Sequence, residues 1–144
     1  MHMPGNFTVR LASWRDDQSA LRDVRREVFI IEQQVPEALE WDEVDAVAVH
    51  ALALDAQGRP IGSGRLLPDG HIGRMAVVPQ WRRRGVGSAI LEFLIGCARQ
   101  QGHAAVHLNA QTHALGFYAR HGCVAHGEEF MDAGIPHLRM TLNW

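Results

Sequence analysis

The sequence contains no lysine, so all 14 of its basic residues are arginine. A Gly-Lys-Ser/Thr segment is therefore absent, which excludes a Walker A phosphate loop. Only two cysteines occur, Cys97 and Cys123, and their spacing fits neither a disulfide framework nor a zinc site. No His-Glu-x-x-His segment is present either, and we assign no metal.

Long apolar runs are also missing. No stretch approaches the roughly 20 apolar residues of a membrane-spanning helix, and Met1–Phe7 lacks the basic and apolar segments of a secretory signal. The formal net charge of −2 argues against a general nucleic-acid-binding surface. We therefore expect a cytoplasmic protein that binds neither membranes nor nucleic acids.

What the chain does have is the composition of an ordinary globular protein. Its 144 residues are 47% hydrophobic and 21% charged, which is near the average for soluble domains. A chain of this length buries roughly two thirds of its unfolded surface, enough for a core without disulfides. No repeat, low-complexity tract or linker divides it, so we predict a single domain over residues 1–144.

Alternating apolar residues predict short strands, and apolar spacings of three and four predict helices. Gly62 and Gly64 within one predicted strand indicate a bulge or a close backbone approach. In chain order we expect an edge strand at Thr8–Ala12, a helix capped by Asp16 or Asp17 and ended by Pro36, strands at Val47–Leu54, Pro60–Leu67 and His71–Val78, a helix from Val86 to Gly102, a parallel strand at Ala104–Asn109, a short helix at Thr112–His121, and a strand pair at Val124–Met131 and Leu138–Leu142. This order predicts an α/β fold with a mixed sheet flanked by helices.

The most informative segment is the turn from strand to helix at Arg82–Ser88. The first N–H groups of a helix lack intrahelical partners and carry partial positive charge. Gly85 and Gly87 allow a phosphate to approach the backbone, and the three arginines Arg82–Arg84 add positive charge. The segment therefore predicts a site for a phosphate or pyrophosphate. An ordinary helix start with a solvated charge cluster is the alternative.

Residues Val77–Gly87 follow the pattern V-x-P-x-x-R-x-x-G-x-G, which resembles the acetyl-CoA-binding motif of the GCN5-related N-acetyltransferase (GNAT) family. Leu115–Gly122, with an aromatic-Tyr pair before a glycine, resembles the last motif of that family. Arg26–Gln33 and Gly134–His137 resemble a bacterial subgroup, the YjcF/ElaA-like proteins. The resemblance implies a GNAT acyl-CoA N-acyltransferase fold, a mixed and mostly antiparallel sheet of about seven strands flanked by about four helices.

The resemblance also implies a reaction. An acetyl group would pass from acetyl-CoA, the cosubstrate, to a primary amine by direct attack in a ternary complex, which removes much of the entropic barrier. Strand N–H groups would stabilise the oxyanion of a tetrahedral intermediate. The implied cofactor-binding residues are Met75, Ala76, Val77, Arg82, Arg83, Arg84, Gly85, Val86, Gly87, Ser88, Asn109, Gln111 and Tyr118.

Tyr118, the single tyrosine of the chain, is the implied catalytic residue. In the family its counterpart lies near the thioester sulfur and protonates the leaving thiolate. A phenol remains protonated at neutral pH and is therefore able to donate. The alternative is a structural tyrosine on the buried face of a short helix.

The general base is left unassigned. Many family members carry a glutamate on the fifth strand, and the corresponding position here is Val106. Either another group accepts the proton, or the enzyme uses the small neutral fraction of the amine. We interpret His137 as a side chain that fixes the turn after Pro136. The other groups that remain open as bases, together with His137, are Glu32, Glu40, Glu43, Asp45 and Glu129.

Two other functions stay open at this point. A non-catalytic acyl-CoA-binding sensor or interaction module is compatible with the missing carboxylate at Val106, and a nucleotide-binding module would use the same helix start. We interpret the acidic segment Glu37–Asp45 as a solvated loop rather than a rim that attracts cationic amines. Exposed strand edges and Trp144 permit a homodimer.

Overall fold

Seven strands form one sheet in the order β1-β2-β3-β4-β5-β7-β6 in the computed structural model, which describes residues 6–144. All neighbouring strands are antiparallel except the parallel pair β4 and β5. The strands are β1 (Phe7–Ala12), β2 (Val49–Asp55), β3 (Pro60–Leu66), β4 (His71–Val77), β5 (Ala105–Gln111), β6 (Val124–Asp132) and β7 (Ile135–Asn143). The predicted sheet, mixed and mostly antiparallel with about seven strands, an edge strand and a parallel strand, is confirmed.

Helices cover both faces of this sheet. They are α1 (Trp14–Arg25), a π-helical segment (Arg26–Glu32), α2 (Glu37–Glu40), α3 (Val86–Gln100) and α4 (Leu115–Arg120), with 3₁₀ turns at Glu43–Ala46, Pro79–Trp81 and Thr112–Ala114. No helix within residues 6–144 has the length and apolarity needed to cross a membrane. The prediction that Met1–Phe7 holds no secretory signal falls mostly on residues 1–5, which lie outside the described part.

Helix α3 packs tightly onto β3 at its two glycines. A Cβ atom on Gly62 would lie 2.8 Å from Cδ1 of Ile90, and one on Gly64 would lie 3.0 Å from Cδ1 of Leu94. The strand is also irregular there, because its register with β2 shifts next to Gly62: Ala53 pairs with Gly62, but Leu54 pairs with Pro60. Both the bulge and the close approach predicted from the two glycines are therefore present.

The start of α1 differs from the prediction. Its N-cap is Ser13, whose hydroxyl accepts from the N–H of Asp16, whereas Asp16 and Asp17 lie in the first turn. Asp17 instead accepts the N–H of Ser13 at 2.9 Å. The hydroxyl of Ser13 stands one turn earlier and is in reach of the free amides, so it displaces the carboxylates from the capping position.

The end of the same helical region also differs. After Arg25 the backbone widens into a π-helix, with the N–H of Gln33 bonded to the carbonyl of Val28 at 3.0 Å. The apolar run up to Ile31 indicated only a continuing helix. π-helical turns concentrate at functional sites, and this one lies over the cleft described below.

The acidic segment after Pro36 is not a solvated loop throughout. Glu40 and Asp45 are only 3% and 0% exposed. Arg25 of α1 donates to both carboxylates at 2.8 Å, and Arg65 of β3 donates to Asp45 at 2.7 Å. The interpretation of the segment as a solvated loop is wrong for these two residues, because hydrogen bonds from buried arginines keep their carboxylates out of solvent.

The parallel pair β4 and β5 opens a cleft in the sheet. The two strands are paired only at His71 with His107 and at Ile72 with Leu108. Beyond that point β4 carries a bulge, since Arg74 has a φ of 52°. The strands separate from there on, and their separated ends form the walls of the candidate site.

Candidate active site

The cleft between β4 and β5 leads into a cavity of about 990 Å³. It extends from the first turn of α3 to the turn between β6 and β7. Of the residues implied by the sequence, the structure brings together at this cavity Met75, Ala76, Val77, Arg82, Arg83, Gly85, Gly87, Ser88, Asn109, Gln111 and Tyr118. Arg84 and Val86 do not line it, because Arg84 lies over the Trp81 ring and Val86 is buried in the core.

The β4 wall presents backbone N–H groups to the cleft. Val78, directly after β4, donates its N–H to the carbonyl of Ile61 in β3 at 3.0 Å. Successive residues of a strand turn their backbone groups to opposite edges. The N–H and carbonyl of Val77 therefore face the β5 side, where the strands have separated. This edge has the geometry to donate to an oxygen bound in the cleft.

The start of α3 forms the other end of the cavity. Gly85 is the N-cap and has a φ of 85°, a left-handed conformation that favours glycine. A Cβ on Gly87 would lie 3.3 Å from Phe117, so the glycine allows the Phe117 ring to pack closely against the first turn of α3. Among the described residues, the guanidinium of Arg83 has no hydrogen-bond or ion-pair partner and it lines the cavity. The helix start thus combines free amides with an unpaired cation.

Arg82 has a different environment from the one implied. Its guanidinium donates to both carboxylate oxygens of Glu32 at 2.7 and 2.6 Å and to the carbonyl of Val77 at 2.9 Å. The hydrogen bonds from Arg82 lower the pKa of Glu32. Burial raises it by less, so the pKa stays below its usual value. In this structure Arg82 links the π-helical segment to the β4 wall.

The opposite wall is linked to the same segment. Gln33 and Gln111 exchange two amide hydrogen bonds of 3.1 and 3.0 Å. We call residues Arg26–Gln33 the strap, because they cross the cleft from the loop after β4 to the end of β5. The Gln33 contact was not predicted, since nothing in the sequence relates two residues so far apart.

Tyr118 lies on α4 and is buried, with its ring edge-on to Phe117 at 5.0 Å between centroids. Within the described residues its hydroxyl has no hydrogen-bond partner, and the residue lines the cavity. Burial raises the pKa of Tyr118 to about 12, with a smaller contribution from Cys123. The phenol therefore keeps its proton at neutral pH and is available as a donor.

His137 lies on β7, directly across the strand pair from Gln111. Its Nδ1 is 2.7 Å from the carbonyl oxygen of Ile135, which requires a proton on Nδ1. The ring stacks on Phe130 at 5.7 Å. This contact fits the expected role in fixing the turn. It also leaves Nε2 without a partner among the described residues at the wall of the cavity.

The other groups left open as bases are placed less suitably. Glu32 is engaged by Arg82, and Glu40 lines the cavity but is held by Arg25 at one oxygen; burial raises the pKa of Glu40. Glu43, Asp45 and Glu129 do not line the cavity. Val106 is fully buried in the core, so its lack of a carboxylate says nothing about the chemistry of the cleft.

Several lining residues were not found from the sequence. Arg74 faces the cavity from the bulge, 3.3 Å from Glu40, and His71 lies 3.2 Å from His107 across the parallel strands. A bulge with a non-glycine residue at positive φ leaves no clear mark in the sequence. Within residues 6–144, no group of three or more His, Cys, Asp or Glu side chains is placed to hold a metal ion.

Residues 14–144 match the model of a protein family described as acetyltransferase (GNAT) domain. YjcF of Bacillus subtilis (strain 168), called an uncharacterized N-acetyltransferase, is 42% identical over 121 residues, 81% of this chain and 86% of the relative. An acyl-CoA N-acyltransferase structure from Pseudomonas aeruginosa is 30% identical with a TM-score of 0.81, covering 96% and 99% of the two chains. Escherichia coli ElaA shares the fold, with a TM-score of 0.83 at 24% identity over 96% and 100%. The chain therefore belongs to the GNAT family and to its class of acyltransferases.

Proposed function

We propose that this acyltransferase moves an acetyl group from acetyl-CoA to a primary amine by direct attack within a ternary complex. The observation that carries the proposal is the cavity between β4 and β5. It joins a helix start suited to an anion, an open strand edge, the Tyr118 hydroxyl as a proton donor and Nε2 of His137 as a proton acceptor. Each part matches one demand of the reaction.

The donor's pyrophosphate fits the start of α3. Free helix amides and partial positive charge favour phosphate there, and the Arg83 guanidinium is unpaired among the described residues. Gly85 leaves the backbone accessible, because no atom lies within 4 Å of a Cβ placed on it. From this anchor the pantetheine chain runs along the open edge of β4 toward Tyr118.

The chemistry then needs an oxyanion donor and a proton for the leaving group. The amine nitrogen attacks the thioester carbon, and the carbonyl oxygen becomes negative near the N–H of Val77. When the carbon–sulfur bond breaks, the thiolate takes the hydroxyl proton of Tyr118. Because its pKa is about 12, the phenol is protonated at neutral pH, so the proton is in place when the carbon–sulfur bond breaks.

The attacking amine must also lose a proton, and we assign that proton to Nε2 of His137. The hydrogen bond from Nδ1 to the carbonyl of Ile135 fixes the tautomer of the neutral ring, in which the lone pair is on Nε2. Glu32 is a weaker alternative, because Arg82 donates to both of its carboxylate oxygens and so stabilises its charged form. Glu40 is already paired with Arg25 and Arg74.

The first test is thermal unfolding with acetyl-CoA, CoA, ATP and NAD in parallel. A ligand at about 100 times its dissociation constant stabilises the fold by roughly 2.7 kcal/mol. For a chain of this size that raises Tm by roughly 5–10 °C. We expect the shift with both CoA compounds and not with ATP or NAD.

The second test follows thiol release from acetyl-CoA with a panel of primary amines. Amine-dependent release supports the transferase. A Tm shift with no release from any amine supports a non-catalytic acyl-CoA sensor instead, and a shift with ATP alone supports a nucleotide-binding module. No shift with any CoA compound contradicts the proposal.

A further inference from the structure

Beside the start of α3, three side chains form a hydrogen-bonded chain that the proposed chemistry does not use. Oγ of Ser88 lies 3.0 Å from Nε2 of His121, and Nδ1 of His121 lies 2.8 Å from a carboxylate oxygen of Glu92. Ser88 and Glu92 are four residues apart on α3 and share one face of it. His121 directly follows α4, so two helices bring the groups together.

Of these three hydrogen-bonded side chains, Ser88 is the one that lines the cavity. The side chain of His121 is 16% exposed, and that of Glu92 is 61% exposed. Phe117 packs against the imidazole with 5.2 Å between ring centroids, and the same ring closes on Gly87. The imidazole is therefore fixed behind Ser88, with the carboxylate at its outer end.

The other ionisable groups around the imidazole come from α4 and from the segment before β6. Arg120 precedes His121 and lines the cavity, and Tyr118 on the same helix stays neutral. Cys123 stays a thiol, because burial and the nearby charge of Glu92 raise its pKa. Glu92 on α3 is the charged group that hydrogen-bonds the ring.

The protonation state of His121 decides what the Ser88 hydroxyl is able to do. A carboxylate only accepts hydrogen bonds, so Glu92 keeps a proton on Nδ1. In the neutral ring Nε2 is an acceptor, and it takes the single hydroxyl proton of Ser88. In the imidazolium Nε2 donates to Oγ instead, which frees the hydroxyl proton to point into the cavity.

We propose that Glu92 and His121 are positioning residues that make the Ser88 hydroxyl a donor to the pyrophosphate of acyl-CoA. The inference rests on the proposed function, since it concerns the same donor site. The Ser88 hydroxyl is able to donate to a bound phosphate only when His121 is protonated. Because a hydrogen bond to an ionised phosphate is a strong one, binding favours the imidazolium. Binding is then accompanied by uptake of a proton at Nε2 of His121, and no covalent bond to carbon or phosphorus changes.

A serine, a histidine and a carboxylate in this order also form the nucleophilic triad of hydrolases. The surroundings of Ser88 favour the anion-donor role. Ser88 lies in the first turn of a long helix next to Gly87, with Arg83 and Arg120 at the same cavity, and such a positive region suits a phosphate. The nucleophilic role is a separate outcome of the test.

The test is isothermal titration calorimetry with dephospho-CoA, which keeps the pyrophosphate but lacks the 3′-phosphate that itself titrates near neutral pH. Titrations at about pH 7.5 in buffers of different ionisation enthalpy give the number of protons taken up. We expect uptake of a fraction of a proton by the wild-type chain. We also expect its affinity to fall as the pH rises, because binding takes up a proton.

Four variants locate the effect. S88A and H121A are expected to bind roughly tenfold more weakly, the loss of one hydrogen bond to a charged group, and to take up no proton. H121Q keeps a neutral donor for Oγ, so it is expected to recover part of the affinity without any pH dependence. E92Q is expected to take up less proton than the wild type.

H126A and E128Q are matched controls on the exposed strand β6 and are expected to behave as wild type. Proton uptake that persists in folded H121A or H121Q overturns the inference, as does wild-type binding without uptake. Labelling of Ser88 by a fluorophosphonate, with hydrolase activity lost in S88A, overturns it in favour of the nucleophile. If neither dephospho-CoA nor acetyl-CoA binds the wild type, the proposed function fails as well.

Discussion

Tyr118 combines burial with a hydroxyl that has no hydrogen-bond partner within residues 6–144, and the change Tyr118→Phe removes that hydroxyl alone. We expect kcat to fall by roughly 100-fold or more, because a positioned general acid contributes that much. The dissociation constant for acetyl-CoA is expected to stay within roughly threefold, a difference below 1 kcal/mol. Steady-state kinetics and calorimetry measure the two quantities. Unchanged turnover would remove Tyr118 from the mechanism.

A second prediction at this scale concerns His137→Gln. We expect kcat at pH 7 to fall by roughly 100-fold, as for loss of a general base. The defect is expected to shrink at pH 9, where more of the acceptor amine is already deprotonated. A merely structural role would lower kcat equally at both pH values. E129Q, an exposed carboxylate variant on β6, is the control and is expected to match the wild type.

Single residues also show where sequence reasoning ends. Tyr118 and the glycines of the α3 start were predictable, because a family motif fixes them and their neighbours in the chain are enough to recognise it. The pairing of Arg82 with Glu32 was not, since it depends on how the strap crosses the cleft. Arg74 was missed for a similar reason: its role comes from a bulge that its own side chain does not signal.

At the scale of elements, the packing of α3 onto β3 depends on Gly62. In Gly62→Ala the new Cβ would lie 3.0 Å from Cγ1 of Val86 and 3.2 Å from the carbonyl oxygen of Ala76. Overpacking of this kind costs about 1–3 kcal/mol of unfolding free energy, which urea denaturation measures.

The matched change on the same helix is Gly96→Ala. A Cβ there meets no atom within 4 Å, and Gly96 is an exposed interior position of α3. We expect it to stabilise the fold by about 0.5–1 kcal/mol. Equal effects of the two substitutions would show that the close approach at Gly62 does not govern packing.

Element order and strand type were predictable, because apolar residues recur every second position in strands and every third or fourth position in helices. Boundaries and special geometry were less so. The cap of α1 is Ser13 rather than an aspartate, and the decisive factor is the distance from its hydroxyl to the first amides. The π-helical turn depends on contacts across the cleft, which a local pattern does not contain.

Across the whole molecule, a buried charge cluster joins α1, the segment after α2 and β3. Asp45 accepts from Arg25 and Arg65 at 2.8 and 2.7 Å. Asp45→Asn leaves two buried guanidinium groups short of a negative partner. We expect a loss of about 3 kcal/mol in unfolding free energy. D16N, which alters a pair exposed by 91% and 71%, is expected to change stability much less.

The same cluster sets a pH dependence. Burial raises the pKa of Asp45, but bonds to Arg25 and Arg65 outweigh burial and leave it below the ordinary 3.8. Arg65 lowers the pKa of Asp42 as well. Their contribution to stability is therefore complete above about pH 4 and is lost as the pH falls through the folded pKa values. Urea titrations from pH 3 to pH 7 are expected to show a shallower acid loss in D45N.

Glu40 acts in the opposite sense. Burial raises its pKa above the ordinary 4.5 despite Arg74 and Arg25. Its contribution is present below that value and is lost as the pH rises through the folded pKa. The sequence alone indicated a solvated acidic segment, because a run of carboxylates does not reveal which of its members meet arginines from other elements.

The strap, finally, closes a ring of contacts around the cleft. Glu32 forms two hydrogen bonds with Arg82, and Gln33 forms two with Gln111. Ordering the strap costs conformational entropy once, and both attachments share that cost. Each attachment is therefore stronger while the other exists, so Arg82 and Gln111 are thermodynamically coupled although they stand on opposite walls. A double-mutant cycle would express this as a non-zero interaction energy. A ligand that draws Arg82 away from Glu32 thereby loosens the far wall as well.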